Sequence, residues 1–379
     1  MREVDVAGVG MMRFGRFPER PIEDMGREAV LKALADAKVT GSQIQETFCG
    51  SGFGGPLLGQ RILRDLGMTG MAITNVENAC SSGTTALREG IAAVAMGRID
   101  IALVIGIDKL TKFGGGTVPL ELTDLEVGEG MVMPGLYAMR ARRYMHEFGA
   151  TPKHLAMVSV KAHKNGARNP YAQYQKEVAL EEVLNSRMIA DPLTMYMCCP
   201  TGDGAAAVVV TTGEKARQLG VPPVKVLAST LQSGLYKTGF RDMAANELSA
   251  RTCKLAYEQA GLGPKDVSLA EVHDAFAIAE VLYYEALGFC GKGEAKDLID
   301  RGETEITGRI PVNPSGGLKT RGHPVGATGV AQVCEAVWQL RGQAGARQVQ
   351  GAKVALTHCT GGGISGLDHG ACSIHIFAK

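Results

Sequence analysis

The sequence predicts an α/β protein whose sheets are covered by helices on both faces and whose second half repeats the first. Short β-branched runs such as VALTH and AAAVVVTT alternate with Ala- and Leu-rich amphipathic stretches in a chain with 50 glycines. Residues 29–50 and 252–273 align, because each segment is interpreted as a helix, a short turn and a strand. The pattern therefore favours a duplicated α/β fold with buried strands.

A second pair of motifs occupies equivalent places in the two halves. CSSGTTA, beginning at Cys80, opens a helix of small residues before the strand IDIALVIG. HPVGATG, beginning at His323, opens another helix before AKVALTHCTGGG, so the order of elements matches. If the halves pack with pseudo-two-fold symmetry, we expect Cys80 and His323 to meet at two neighbouring helix starts.

The segment between the halves differs in composition. Residues 110–192 are richer in charge, Met, Gly and Pro, and we interpret them as an inserted loop region that caps the site. The predicted division is an N-terminal half of residues 1–109 plus about 193–215, the insertion at 110–192, and a C-terminal half of residues 216–379.

The composition excludes several classes of protein. The 379 residues are 45% apolar and carry a net charge of +1, so no long-range field attracts nucleic acid or an anionic membrane. The nine cysteines show no repeated CxxC spacing, which is typical of a reduced, cytoplasmic protein. The first residues, MREVDVAGVG, predict no signal peptide, and no stretch predicts a transmembrane helix.

Cys80 is the candidate nucleophile. In NVENACSSGTTAL an apolar strand gives way to small residues and a helix, so the sulfur should lie at the helix N-terminus. The helix dipole and free N–H groups there favour the thiolate over the thiol. A buried, inert cysteine is the alternative for this segment taken alone.

Three further residues could support such a nucleophile. His323 is flanked by glycines that allow close backbone approach, so its imidazole could take a thiol proton, with a helix N-cap as the lesser alternative. Cys359 follows a buried strand and precedes three glycines whose N–H groups could stabilise an oxyanion. His273 ends a strand beside Asp274, where catalytic and structural roles both remain open.

These motifs together resemble the thiolase superfamily, and more closely its branch of sterol-carrier-protein thiolases and archaeal acetoacetyl-CoA thiolases. The resemblance covers almost the whole chain and rests on ENACSSG, on HDAF in place of the Asn-Glu-Ala-Phe of most biosynthetic thiolases, and on GHPVGATG paired with CTGGG. It implies a thiolase fold, in which two similar βαβαβαββ halves pack as a five-layer α-β-α-β-α sandwich with an inserted loop domain.

The resemblance also implies roles in acyl transfer. Cys80 would be acylated, His323 would activate it, and Cys359 would move the proton at the substrate α-carbon. His273 and His323 would form one oxyanion hole, and the backbone N–H groups of Cys80 and Gly361 a second. The reaction would be thiolysis of a 3-oxoacyl-CoA or the reverse Claisen condensation, with acetoacetyl-CoA, a branched or steroid-derived substrate, or benzoylsuccinyl-CoA all open.

Substrate contacts and partners follow from the same resemblance. Arg168, Met197 and Cys199 would line the acyl and pantetheine path, and the methionines of the cap could form an adaptable apolar wall, namely Met131, Met133, Met139 and Met145. Coenzyme A is expected as a substrate or product, with no permanently bound cofactor and no metal. A homodimer core is expected, together with a small zinc-ribbon/OB-fold partner protein that would give a heterotetramer.

Three rival interpretations remain open. A ketosynthase would share the fold but would not need a second catalytic cysteine, so Cys359 argues against it. A retro-aldolase subunit would lack the nucleophile, so Cys80 argues against that. A non-catalytic acyl-CoA-binding scaffold would be expected to lose Cys80, His323 or Cys359, and all three are present.

Overall fold

The computed structural model describes residues 2–237, 239, 241–366 and 368–379. The strands are β1 (Val4–Met11), β2 (Glu46–Gly50), β3 (Ala72–Val76), β4 (Ile101–Lys109), β5 (Met188–Ala190), β6 (Leu193–Thr194), β7 (Asp203–Thr212), β8 (Lys225–Ser233), β9 (Leu269–Glu271), β10 (Val354–Gly361) and β11 (Ala371–Ala378). The helices are α1 (Ile22–Ala37), α2 (Leu58–Arg64), α3 (Ser82–Ala95), α4 (Leu125–Gly128), α5 (Met133–Phe148), α6 (Pro152–Gly166), α7 (Leu180–Leu184), α8 (Gly213–Leu219), α9 (Glu247–Ala260), α10 (Ala277–Ala286), α11 (Ala295–Asp300), α12 (Gly317–Thr320) and α13 (Ala327–Arg341).

The two halves of the chain contribute two sheets that join edge to edge into one hydrogen-bonded sheet of nine strands in the described part of the chain. In the first sheet the strand order is β3-β2-β4-β7-β1, and in the second it is β8-β11-β10-β9. The sheets join where Asp5 of β1 pairs with Lys225 of β8. Strands β4, β7 and β10 are buried on both faces almost throughout, as expected of strands that lie between two layers of helices.

Helices and sheets alternate in five layers. Helices α1, α2 and α8 cover the outer face of the first sheet, α3 and α13 lie between the sheets, and α9 covers the outer face of the second. Three buried apolar clusters fill the spaces between these layers. The arrangement confirms the α-β-α-β-α sandwich that the sequence resemblance implies.

The second half departs from the predicted repeat at one strand. The first half follows the order βαβαβαββ, from β1 to β4 and then β7. In the second half the third strand is reduced to a single parallel bridge between Val312 and Ala270. Pro311 immediately precedes this bridge and has no N–H group to donate, so a longer ladder cannot form there.

The central helices approach closely because their contact faces are glycine. A Cβ atom on Gly83 of α3 would clash with the carbonyl oxygen of Gly326, and one on Gly329 of α13 would clash with Thr84. Only glycine allows backbones this close. The small residues of CSSGTTA and HPVGATG therefore bring the starts of α3 and α13 together, as the duplicated pattern predicts.

The segment that was interpreted as an inserted loop contains long helices. Helix α5 has 16 residues and α6 has 15, and each carries proline in its first turn, where the missing N–H group costs nothing. Strands β5 and β6 form a hairpin that crosses the predicted boundary at residue 192. The division into residues 1–109 with 193–215, 110–192 and 216–379 stays a prediction. Among the described residues, every helix falls short of the length or apolarity that a bilayer crossing requires.

Candidate active site

Cys80 lies on a tight turn, Ala79–Ser81, that leads directly into α3. Ala79 adopts a φ of 48°, a left-handed conformation that is unusual for a residue with a side chain. The turn is held by the Ser82 hydroxyl, which donates to the Ala79 carbonyl at 2.6 Å and accepts from the Asn78 amide at 2.9 Å. The nucleophile position is therefore fixed by backbone contacts and not by side-chain packing alone.

The end of β10 packs against this turn. The Cys359 thiol donates to the Cys80 carbonyl oxygen at 3.1 Å, and the Ser81 hydroxyl donates to the Cys359 carbonyl at 2.9 Å. A Cβ atom on Gly361 would clash with the Asn78 carbonyl, so glycine is required for this approach. The predicted residues Cys80, Cys359 and Gly361 are thus neighbours.

Two histidines complete the group. One ligand atom each from Cys80, His273 and His323 lies within 4.8 Å of the others, and the imidazole rings are 4.9 Å apart at 79°. His273 follows β9, and His323 lies between α12 and α13. One thiol and two imidazoles could in principle bind a metal ion, and the predicted absence of a metal stays a prediction.

The tautomer of His323 follows from its hydrogen bonds. When the Thr328 hydroxyl donates to the Pro324 carbonyl at 3.1 Å, it accepts from Nδ1–H of His323 at 2.6 Å. Nε2 of His323 therefore carries no proton and is free to act as a base. Burial, and the nearby positive charge of Arg321, lower the pKa of His323 to about 3, which keeps the ring neutral.

His273 has the opposite tautomer in the arrangement that satisfies its neighbours. The Tyr283 hydroxyl lies 3.1 Å from the Thr360 hydroxyl, which lies 3.3 Å from Nδ1 of His273. When Tyr283 donates to Thr360 and Thr360 donates to Nδ1, the proton of His273 is on Nε2. Nε2 is buried and has no partner among the described residues, so it is an available hydrogen-bond donor.

The environment of Cys80 opposes the thiolate expected from the helix start. Burial raises the pKa of the Cys80 thiol to about 12, and the carboxylate of Asp108 adds to the shift. The amides of Gly362 and of Cys80 itself act in the opposite direction but are outweighed. Because the pKa of His323 is lowered and that of Cys80 is raised, thiol and imidazole are both neutral in the resting site.

Asp108 is a residue of the site that the sequence analysis missed. Its carboxylate accepts hydrogen bonds from the Ser51 hydroxyl at 2.7 Å and from the amides of Gly52, Phe53 and Gly326 at 2.9, 2.8 and 2.6 Å. It therefore fastens the loop after His323 to the first half of the chain. Asp108 lies near the end of the apolar strand β4, in a stretch of sequence without any motif. Its hydrogen-bond partners become neighbours only when the strands pair.

The three predicted substrate contacts lie in different environments. Cys199 is buried, and burial raises the pKa of its thiol. The charges of Cys198 and Cys80 add to that shift, which places Cys199 within electrostatic range of the nucleophile. Arg168 is exposed just beyond the end of α6. Met197 is fully buried in the apolar cluster beneath the cap, which leaves no exposed surface for a ligand. Their roles as substrate contacts stay predictions.

A small cleft of about 20 Å³, open to solvent, lies between the cap and the segment after β10. Gly363, which follows the glycine whose amide acts on Cys80, is part of its wall. Met131 and Met133 line this pocket, and Met133 and Met145 both pack against the core, whereas Met139 is 47% exposed. Two of the four methionines of the predicted apolar wall are therefore located at the pocket.

Known proteins match the chain over most of its length. The family model "Thiolase, N-terminal domain" matches residues 4–214, and "Thiolase C-terminal domain-like" matches residues 236–369. The chain is 43% identical to the benzoylsuccinyl-CoA thiolase subunit BbsB of Thauera aromatica, covering 96% of this chain and 95% of that protein. It is 43% identical to an acetyl-CoA acetyltransferase of Methanothermobacter thermautotrophicus over 100% of both chains, and 39% identical to sterol carrier protein 2 of Oryctolagus cuniculus, over 94% of this chain and 70% of that protein.

Solved structures also resemble the chain over nearly its whole length. The structure titled Ltp2-ChsH2(DUF35) aldolase superposes with a TM-score of 0.86 at 28% identity, covering 99% of this chain and 98% of the other. Human mitochondrial 3-ketoacyl-CoA thiolase superposes with a TM-score of 0.76 at 16% identity, covering 100% and 99% of the two chains, which supports the fold alone.

Proposed function

The chain belongs to the thiolase family and is an acyltransferase of the acetyl-CoA C-acyltransferase type, and we propose that it works through an acyl-enzyme on Cys80. One observation carries this proposal. The Cys80 sulfur and one ring nitrogen each of His273 and His323 lie within 4.8 Å of one another, and the Cys359 thiol donates to the Cys80 carbonyl oxygen at 3.1 Å. The group thus contains a nucleophile, a base, an oxyanion donor and, in Cys359, a thiol that can act as an acid.

In the first half-reaction, Nε2 of His323 takes the Cys80 proton while the sulfur attacks the 3-oxo carbon of the acyl-CoA. The bond between C2 and C3 breaks, and its electron pair forms the enolate of the departing acyl-CoA. Nε2–H of His273 donates to the enolate oxygen, and the Cys359 thiol protonates C2. The unpaired, buried Nε2 of His273 supports this role, because a preorganised donor stabilises charge where it develops.

In the second half-reaction, coenzyme A attacks the Cys80 thioester. His323, after passing its proton to the Cys359 thiolate, takes the proton of the coenzyme A thiol and then returns one to the departing Cys80 sulfur. The N–H groups of Cys80 and Gly361 would stabilise the tetrahedral oxyanion of this step. The close packing of Gly361 on the nucleophile turn supports that assignment.

The neutral resting forms of the Cys80 thiol and the His323 imidazole are compatible with this mechanism. Burial penalises the charged forms of both Cys80 and His323, so the proton moves only when a bound substrate offers carbon for the sulfur to attack. Coenzyme A enters as a substrate, and no permanently bound cofactor is required by any step. All nine cysteines, each within the described residues, are free thiols, which supports a reducing, cytoplasmic location.

For the acyl group we propose an apolar or aromatic 3-oxoacyl chain of the benzoylsuccinyl-CoA type. Met131 and Met133 supply an adaptable apolar wall at the pocket, and a relative with 43% identity is a benzoylsuccinyl-CoA thiolase subunit. Acetoacetyl-CoA is the second candidate, since an acetyl-CoA acetyltransferase is equally similar over the full length.

We also propose that the chain forms a homodimer that binds a small zinc-ribbon/OB-fold protein. The relative from Thauera aromatica is called a subunit, and the structure with a TM-score of 0.86 carries ChsH2(DUF35) in its title. Two copies of each chain would give a heterotetramer.

The test is incubation of the protein, alone and with the small partner protein, with a panel of 3-oxoacyl-CoAs and coenzyme A. Intact mass should show an acyl adduct that peptide mapping assigns to Cys80, and products should show thiolysis of one panel member. Cys80→Ser should form no adduct, whereas Cys290→Ser, a half-buried cysteine outside the group, should behave as the unaltered protein. Thiolysis without any adduct, or an adduct on another cysteine, would contradict the acyl-enzyme.

A further inference from the structure

Two buried ion pairs join the segment that carries His273 to the segment that carries His323. Glu271, two residues before His273, accepts from Nη1 of Arg321 at 3.0 Å, and Arg321 is two residues before His323. Asp274, the residue after His273, is paired with Lys319 of α12, which also donates to Glu280 of α10 at 3.1 Å. The side chains of the four residues in these two pairs are at most 1% exposed.

Further hydrogen bonds surround each carboxylate. Glu271 also accepts from the Ser315 amide at 3.0 Å and the Ser315 hydroxyl at 2.7 Å. Asp274 accepts from the Leu318 amide at 2.7 Å. A Cβ atom on Gly317, whose φ is 61°, would clash with the Asp274 carboxylate, so the loop before His323 folds directly onto that group.

Stability alone does not account for four buried charges. Taking ions out of water costs about as much as their attraction returns, so apolar residues of similar size would usually serve folding equally well. What such pairs supply is geometry, because both partners must be present at one separation and angle. Here Glu271 and Asp274 flank His273 in the chain, and their cations lie two and four residues before His323.

We propose that the pairs Glu271–Arg321 and Asp274–Lys319 form a two-point clamp that sets the position of His273 relative to His323. These four are positioning residues and touch no substrate. The inference rests on the proposed function, in which both histidines must reach the same reacting carbonyl. It adds that four residues outside the reacting group are needed to hold the two histidines in place.

Arg321 has a second contact that strengthens this assignment. Its Nη2 donates to the Thr328 carbonyl at 3.3 Å, and the Thr328 hydroxyl holds the Nδ1 proton of His323. The same guanidinium helps to lower the pKa of His323. Arg321 therefore connects Glu271, beside one histidine, to the residue that orients the other.

The experiment compares three variants that each remove the cation of a buried ion pair. Arg321→Met and Lys319→Met break the clamp, and Arg347→Met breaks the buried pair of Arg347 with Glu335, 2.9 Å apart and near the far end of α13. All three should lower the melting temperature. Only the clamp variants should lower kcat, by about 100-fold, with KM for coenzyme A changed less than about threefold.

A conservative variant keeps the test meaningful if Arg321→Met folds poorly. Arg321→Lys retains one charged hydrogen bond to Glu271 and should recover kcat to within about tenfold of the unaltered protein. The double variant Glu271→Gln with Arg321→Met leaves no buried unpaired charge, so it should fold better than Arg321→Met while kcat stays low. Recovery of kcat in the double variant would overturn the proposal, as would an equal loss of kcat in Arg347→Met.

A second measurement separates this inference from the proposed function. The rate at which iodoacetamide alkylates Cys80 depends on His323 as a base but not on any acyl-CoA. That rate should fall in Arg321→Met and Lys319→Met and stay unchanged in Arg347→Met. If the unaltered protein cleaves no acyl-CoA, the proposed function fails, and the alkylation rates still decide whether the clamp positions His323; equal rates in all variants would overturn it.

Discussion

Around the reacting atoms almost every polar group is buried and paired, whereas the pocket at the cap is lined by partly exposed methionines. His323, Thr328 and Thr360 are at most 6% exposed and each has a defined hydrogen-bond partner. Met131 and Met133 are only partly buried and have unbranched side chains that adapt to different ligands. Under the proposed function, the core would carry out the chemistry and the cap would select the acyl group. Changes in the two regions should therefore affect different kinetic parameters.

The largest effect should come from the core. Cys80→Ala removes the nucleophile, and we expect kcat for thiolysis to fall by at least about 10⁴-fold because no acyl-enzyme can form. The measurement is steady-state thiolysis of the best substrate found in the panel. Substrate binding, followed by calorimetry with the variant, should be retained. A loss of less than tenfold would show that another residue carries the acyl group.

The second-largest loss of kcat should follow from removal of the oxyanion donor. His273→Ala removes the buried Nε2–H group, and loss of one such donor costs about 10²–10³-fold in kcat. His273→Asn places a shorter amide donor at the same position and should recover part of that loss. If His273→Ala and His273→Asn were equally active at the unaltered level, the ring would have only a structural role.

How far the sequence predicted these features depends on what each residue contacts. Cys80, His273, His323 and Cys359 were found because each stands in a motif whose glycines and small residues are visible in the chain. The five layers followed from the same motifs. Asp108 was missed because its partners, Ser51 and Gly326, lie far from it in sequence and become neighbours only when the strands pair.

The protonation of Cys80 shows a different limit. The sequence placed the thiol correctly at a helix start. The stabilisation of the thiolate by the helix dipole is smaller than the free-energy cost of burying that charge beside Asp108. Burial is a property of the packed fold and cannot be obtained from local sequence. The helical content of residues 110–192 was missed for a related reason, since proline and glycine in that segment were interpreted as loop signals while they stand at helix starts and ends.

This protonation state can be measured through its pH dependence. With the pKa of Cys80 raised to about 12, the thiol form dominates at lower pH and the thiolate fraction rises with pH. In a His323→Ala variant without substrate, where no base is left to take the thiol proton, alkylation of Cys80 should therefore accelerate about tenfold per pH unit between about pH 7 and 9, without the plateau expected of a free thiol of pKa about 8.5. A plateau in that range, absent in Cys80→Ala, would mean that the helix start outweighs burial after all.

The smallest effect is expected in the cap. Met133→Ala enlarges the pocket beside Gly363 and removes apolar contact, so KM for a bulky or aromatic 3-oxoacyl-CoA should rise by about 3- to 10-fold. Thiolysis of acetoacetyl-CoA, whose acyl chain is too short to fill the pocket, should change by less than about twofold. Met139→Ala is the matched control, because Met139 is 47% exposed and lies outside the pocket wall. A fall in kcat for both substrates in Met133→Ala would contradict the separation of the two regions, since it would mean that the cap also positions the reacting atoms.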